Sequence, residues 1–153
     1  MSINKPAAGT RGARMVPGFL GRLLTPLMVG IHRLTGNRLR GVHLVYLHTT
    51  GARTGKKHVT PVARFDDGSG GWFVVASAGG AATHPGWYHN IAAHPDQVVA
   101  EIDGRTMPVD IEQLEAEERA AAWVLITGQA KGFAAYENRT DRVIPVLRLT
   151  ARA

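Results

Sequence analysis

Two strand-forming runs joined by a short basic turn constrain this chain more than any other feature. Residues 47–61 read Leu-His-Thr-Thr-Gly-Ala-Arg-Thr-Gly-Lys-Lys-His-Val-Thr-Pro. The apolar run Val42–Leu47 leads in, and the mostly apolar run Val59–Phe65 leads out; each has the length of a strand. Gly51 and Gly55 let the backbone turn at positive φ and approach a ligand closely. Threonine hydroxyls and turn N–H groups can donate to phosphate oxygens, and Arg53, Lys56, Lys57 and His58 add charge. The stretch is either an anion cradle on a β framework or an exposed hairpin turn that is basic because water solvates it. It is not the phosphate loop G-x-x-x-x-G-K-[ST]. The Gly51–Gly55 spacing is one residue short, Lys57 stands where a hydroxyl is needed, and a β pattern follows.

Charge is distributed unevenly around this turn. Residues 1–64 hold 11 Lys+Arg and no acid, whereas residues 65–153 hold all 12 acids. Such asymmetry predicts an anionic partner for the first half: a phosphorylated ligand, a membrane surface or nucleic acid. The 153 residues suit one domain. With no cysteine, disulfides and thiolate metal sites are excluded, and a reducing cytoplasm fits. Residues 1–13 lack an apolar stretch directly after their charges, so they read as a short disordered arm rather than a signal peptide.

Residues 14–36 form an amphipathic helical segment: Val16, Phe19, Leu20, Leu23, Leu24, Leu27, Met28, Ile31 and Leu34 recur at i, i+3 and i+4. Pro26 is expected to kink or split it. Arg14, Arg22 and Arg33 occupy the other face. The segment is too short of apolar residues to span a bilayer; it either lies on an anionic membrane or caps a barrel. Residues 37–153 carry the remaining pattern. Strands are expected at Val42–Thr49, Val59–Phe65, Trp72–Ser77, Gln97–Ile102, Arg105–Ile111 and Val143–Leu149, with Asp103-Gly104 turning a hairpin. Helices are expected after Pro85, over Glu115–Thr127 and over Phe133–Asn138. Six short strands linked mainly by hairpins predict an α+β, mainly β, chain: a six-stranded antiparallel barrel with helical additions. No G-x-G-x-x-G opens a helix, which argues against a Rossmann site.

Ser77 lies outside a G-x-S-x-G elbow and has no evident acid–base partner, so a serine nucleophile is rejected. His84, His89 and His94 are five apart and diverge around a helix, and His43 and His48 would face opposite sides of a strand; no metal site is expected. Ser77-Ala78-Gly79-Gly80 places small residues and exposed N–H donors at a strand end, either as a ring-binding loop or as a plain connection. Trp87 and Tyr88, like Phe133 and Tyr136, would either stack on a ring or pack in the core.

In register, these pieces resemble the deazaflavin (F420)-dependent nitroreductase and quinone reductase family of actinobacteria, whose members have a split β-barrel of the FMN-binding type. The resemblance rests on Thr49-Thr50-Gly51-Ala52-Arg53-Thr54-Gly55-Lys56, Thr60-Pro61, Val74 to Gly80, Pro85-Gly86-Trp87-Tyr88-His89-Asn90-Ile91, Tyr136, Thr140-Asp141-Arg142 and Ile144-Pro145-Val146. It implies a cytoplasmic oxidoreductase, possessing no resident metal, that uses reduced coenzyme F420. Ala52, Arg53, Thr54, Gly55, Lys57 and His58 would hold the phosphate and oligoglutamate tail. Thr60, Pro61, Val62 and Ala63, with Val75, Ala76, Ser77, Ala78 and Gly79, would line the deazaflavin. Trp87, Tyr88 and Asn90 would close the pocket. Phe133 and Tyr136 would face the substrate, with Ser77 and Tyr136 beside the reacting atoms. The acceptor would be a quinone, a nitroaromatic or another electron-poor small molecule, with no nucleic acid partner. Apart from the resemblance, the charge asymmetry and apolar stripe make the segment 14–36 a candidate for peripheral contact with the inner face of the cell membrane, with packing on the barrel as the alternative. Two rival readings remain open: an FMN-binding protein on the same barrel, enzyme or carrier, and a non-catalytic basic module for membranes or nucleic acid.

Overall fold

The structure, a computed structural model, describes residues 3–14, 18–36, 38–39 and 41–153, without the side chains of residues 18–23, 32, 38 and 39. A helix, α1 (Gly18–Leu34), and a two-residue strand, β1 (Arg38–Leu39), precede the barrel. Its strands are β2 (Val42–Thr50), β3 (Lys57–Asp66), β4 (Trp72–Val75), β5 (Val99–Ile102), β6 (Arg105–Gln113) and β7 (Val146–Ala151). They run β2-β3-β4-β7-β6-β5, all antiparallel, and β5 pairs back onto β2 to close the ring. The expected six-stranded antiparallel barrel is therefore the fold. Closure removes the exposed edges that an open sheet of this size would present.

Strand parity divides the apolar residues between two cores. Val45, Leu47, Val74, Ala76, Leu147 and Leu149 point into the barrel. The helix α2 (Gly86–Ala93) plugs one end of it with Trp87, Tyr88 and Ile91. Phe65, Phe73, Val75 and Val146 face outward, under α3 (Ala116–Gln129) and α4 (Gly132–Arg139), where Leu114, Ala122, Ile126 and Ile144 complete a second cluster. Each fully buried Leu or Ile contributes about 1.5–3 kcal/mol. The β5–β6 hairpin turns at Asp103 and Gly104, both at positive φ (49° and 79°), as the Asp-Gly pair predicts.

The structure corrects two expectations. Pro26 does not split the first helix, which continues from Gly18 to Leu34 with Pro26 inside it. The loss is one backbone hydrogen bond, and Pro26 itself lies on an exposed stretch of the helix. The arm expected to be disordered is fixed over residues 3–14. The Gly9 and Ala13 amides donate to the Ala82 and Gly80 carbonyls, and the Thr10 and Arg11 amides donate to Asp141. These bonds join residues far apart in sequence, so no local periodicity announces them.

Candidate functional site

The basic turn between β2 and β3 has one internally bonded shape. The Gly51 amide donates to the Lys56 carbonyl (2.7 Å), and the Gly55 amide donates to the Gly51 carbonyl (3.0 Å). Gly55 sits at φ +67°, in the left-handed region, whereas a Cβ at Gly51 would come within 2.6 Å of the Thr54 hydroxyl. Asn90 of α2 ties the turn to the helix. Its Oδ1 accepts from the Ala52 amide (3.0 Å), and its Nδ2 donates to the Thr49 hydroxyl (3.3 Å). Between turn and helix lies a cleft of about 410 Å³, lined by Gly51, Ala52, Arg53, Thr54, His58, Gly86, His89, Asn90, Ala93 and, from the N-terminal strap, Lys5. None of these residues is acidic. Burial, and then the charges of Lys5, His84 and Arg53, hold the His89 imidazole below its ordinary range. The cleft thus combines fixed cations, a neutral imidazole and amide donors: a donor set for phosphate or carboxylate oxygens.

The second half of the site is the loop after β4. Ala78, Gly79 and Gly80 all adopt positive φ (46°, 63° and 81°), and Ala78 carries the strain of a non-glycine residue there. Arg142 fixes the loop from beneath. It is 5% exposed, and its guanidinium donates to the carbonyls of Ala81 (2.7 Å), Ser77 (2.7 Å) and Ala76 (3.1 Å) and to His84 Nδ1 (3.1 Å). His84 Nε2 donates to the Pro6 carbonyl (2.8 Å), which assigns the tautomer and leaves Nδ1 as the acceptor. Burial and the Arg142 charge keep this imidazole below its ordinary range, against the opposing pull of the Pro6 bond.

The residues read from the sequence fall into separate groups. Ala52, Arg53, Thr54, His58 and Asn90 meet at the cleft, with Gly55 shaping the turn. Lys57 is absent from the cleft lining; it donates instead to Thr50 across the strand pair (2.7 Å). Lys57 and His58 are neighbours on β3, so their side chains take opposite faces. Thr60, Pro61 and Ala63 are half-buried along β3, while Val62 points into the barrel. Ala63 and Val75 pack in the outer cluster with Phe133 and Tyr136, whose rings meet edge to face at 5.1 Å. Ala76 is a barrel-core residue, and Ser77, Ala78 and Gly79 form the strained loop. That loop abuts α4: a Cβ at Gly80 would lie 2.8 Å from the Tyr136 carbonyl. Trp87 and Tyr88 are buried in the barrel rather than standing at the cleft mouth. The Tyr88 hydroxyl donates to Gln113 (2.6 Å), and desolvation, aided by the Glu115 charge, pushes its pKa up to about 12. Sequence reasoning missed Lys5, His89, Arg142 and His84. Gly86 and Ala93 also entered the cleft unannounced, because α2 presents to it the face opposite its aromatic residues. Among the described residues, no three His, Asp or Glu groups gather as a metal site.

Comparison with known proteins adds an independent line. An F420H(2)-dependent quinone reductase of Mycobacterium tuberculosis is 33% identical over 135 residues, covering 86% of this chain and 89% of its own length. A putative F420H(2)-dependent quinone reductase of the same organism is 31% identical over 120 residues, covering 78% of this chain and 99% of its own length. The solved structure of an F420-H2-dependent reductase superposes with a TM-score of 0.62 at 37% identity, covering 70% of this chain and 93% of that one. The heme storage protein HutZ of Vibrio cholerae shares the fold alone, with a TM-score of 0.52 at 10% identity over 83% of this chain and 89% of that one. The sequence profile described as F420H(2)-dependent quinone reductase matches residues 23–151, which include every barrel strand and the whole basic turn. A closed barrel of this order, a tethered cationic turn and a match of that length agree, and the chain belongs to the F420H(2)-dependent quinone reductase family.

Proposed function

We propose that the protein binds reduced coenzyme F420 and catalyses hydride transfer to an electron-poor acceptor, with a quinone favoured over a nitroaromatic. The observation that carries this reading is the acid-free cleft, where Arg53, His58 and Lys5 converge with the Ala52–Thr54 backbone. That donor set suits a tail bearing one phosphate and several carboxylates better than the single phosphate of FMN. When bound, F420 supplies the hydride; the protein supplies position and electrostatics. Arg53 and His58 bind the tail. The Ser77–Gly80 loop, held by Arg142, keeps small residues and backbone donors where a flat ring can approach. Such donors stabilise negative charge developing on an acceptor oxygen. Tyr136, half-buried beside this loop, is the candidate proton donor to the acceptor.

The same reading places the enzyme in the cytoplasm, at the inner face of the cell membrane. Leu24, Leu27, Met28, Ile31 and Leu34 form one exposed stripe along α1, with Leu27 62% and Leu34 88% exposed. The opposite face anchors the helix: Val29 is buried, and Arg33 bonds Glu101 at 2.7 Å. An outward apolar stripe on the acid-free half of the chain suits an anionic bilayer, which also holds lipophilic quinones. Among the described residues no helix is long and apolar enough to cross a membrane.

The test is a titration of the purified protein with F420, FMN and FAD at two salt concentrations. F420 should bind most tightly, and its affinity should fall with salt. Arg53→Ala should weaken F420 binding about tenfold, the scale of one charge-assisted hydrogen bond, with stability within about 0.5 kcal/mol of wild type. Equal affinities for F420 and FMN at low salt would reject the assignment.

A further inference from the structure

We propose that the N-terminal strap, residues 3–14, is a built wall of the anion cleft, and that Lys5 on it is a specificity-determining residue for the cofactor's acidic tail. The inference rests on the F420 reading above and adds a group that lies outside the family's matched region, residues 23–151.

The strap is seated by close fit as well as by hydrogen bonds. At Gly9 a Cβ would overlap the Asp141 carboxylate and press on the Arg142 backbone; at Gly12 it would overlap the backbone of Gly80–Ala82. Glycine is what permits the approach at both places. Between them, the Thr10 amide and hydroxyl and the Arg11 amide converge on the Asp141 carboxylate. The Arg11 guanidinium adds a bond to the Asn138 carbonyl (2.9 Å). Nearer the N-terminus, the Asn4 carbonyl accepts from Gln113 (2.9 Å) and the Pro6 carbonyl accepts from His84 (2.8 Å). Lys5 sits between these two anchored residues.

That placement puts the Lys5 side chain in the cleft lining with Arg53, His58 and His89. Among the described residues its ammonium has no ion-pair or hydrogen-bond partner. Three separate elements (strap, turn and α2) thus contribute cationic or donor groups to one cleft that has no carboxylate of its own. A ligand with several negative charges is the chemistry that relieves this arrangement; a neutral or singly charged ligand uses only part of it. Lys5 accordingly discriminates the polyanionic tail and leaves recognition of the ring to the barrel.

The experiment uses the full chain with Lys5→Gln and Lys5→Arg. The probes are F420 bearing several glutamates and its phosphate-free deazaflavin–ribityl fragment. Lys5→Gln should weaken the tailed cofactor about threefold to fivefold, the scale of one exposed ion pair, and leave the fragment unchanged. Lys5→Arg should restore most of the loss. An unchanged affinity ratio between the two probes overturns the proposal. A second arm does not depend on the cofactor reading: free triglutamate is added while the His89 ring is titrated by NMR. Triglutamate should raise the His89 pKa in wild type, with a smaller effect in Lys5→Gln. An equal response in both proteins, or none in either, overturns the proposal. If wild type binds neither deazaflavin, the cofactor assignment fails, and the triglutamate arm still decides the role of Lys5.

Discussion

Replacing Arg142 with Met should be among the most damaging single changes outside the apolar cores. The guanidinium is the common donor to the carbonyls of Ala76, Ser77 and Ala81 and to His84 Nδ1. Methionine fills similar volume and donates nothing. The Ser77 carbonyl keeps the Gly80 amide at 2.8 Å, so the main loss falls on Ala76, Ala81 and His84. Each buried acceptor left without a partner costs about 1–3 kcal/mol. Arg142 has no carboxylate in ion-pair range among the described residues, so removing it also relieves the desolvation of an unpaired charge. The balance is a destabilisation of about 3 kcal/mol. For a chain of this size that lowers Tm by about 6–12 °C. Urea unfolding of wild type, Arg142→Met and Arg142→Lys reads it directly. Lysine restores the charge but cannot serve all these acceptors together, so it should fall between the other two. A methionine variant within about 0.5 kcal/mol of wild type would refute the reasoning.

Acidification from pH 7 to pH 5 should lower the urea midpoint. His84 and His89 both have folded-state pKa values below the ordinary 6.5, chiefly through burial. The unfolded chain therefore binds more protons in that window, and the stability these groups contribute is lost as pH falls from 6.5 toward their folded values. The double variant His84→Gln/His89→Gln should flatten the profile; an unaltered slope would remove these histidines as the cause. Full-length protein should co-sediment with anionic vesicles at low salt and less at high salt. Leu27→Ser/Ile31→Ser should abolish pelleting without shifting the urea midpoint, because both side chains are already exposed. Pelleting that survives the double substitution would locate the contact elsewhere.

The barrel was legible because its signals are local. Apolar runs of strand length marked β2 and β3, and Asp103-Gly104 announced the β5–β6 hairpin. The basic turn was legible for the same reason, since Gly51 and Gly55 bracket it. The resemblance gives Lys57 and His58 the same tail-binding role, whereas strand parity sends their side chains to opposite faces. For Tyr88 the pattern leaves core and pocket wall both open, because an aromatic residue on a helix does not reveal whether the helix plugs a barrel or rims a site. The strap was illegible for a different reason: its order depends on Asp141, which lies 131 positions beyond Thr10. Gly9 and Gly12 were its only local trace, and a glycine required by close approach looks like one in a flexible arm. The role of Arg142 is not legible in its motif, because its four acceptors assemble only in the folded chain.

The clasp between Thr10 and Asp141 also orders events in time. The β2–β3 and β5–β6 hairpins need only neighbouring residues and can form on the microsecond scale of isolated hairpins. Ring closure waits for β7 to dock between β4 and β6, a non-local step that slows folding. Asp141 lies just before β7, so during synthesis the strap leaves the ribosome before β2 to β6 and must wait for all of them before its anchor emerges. The cleft wall that carries Lys5 should consequently mature after the barrel. Pulse-labelled hydrogen exchange should show the Thr10 and Arg11 amides becoming protected later than those of β2 and β3, and simultaneous protection would exclude this sequence of events.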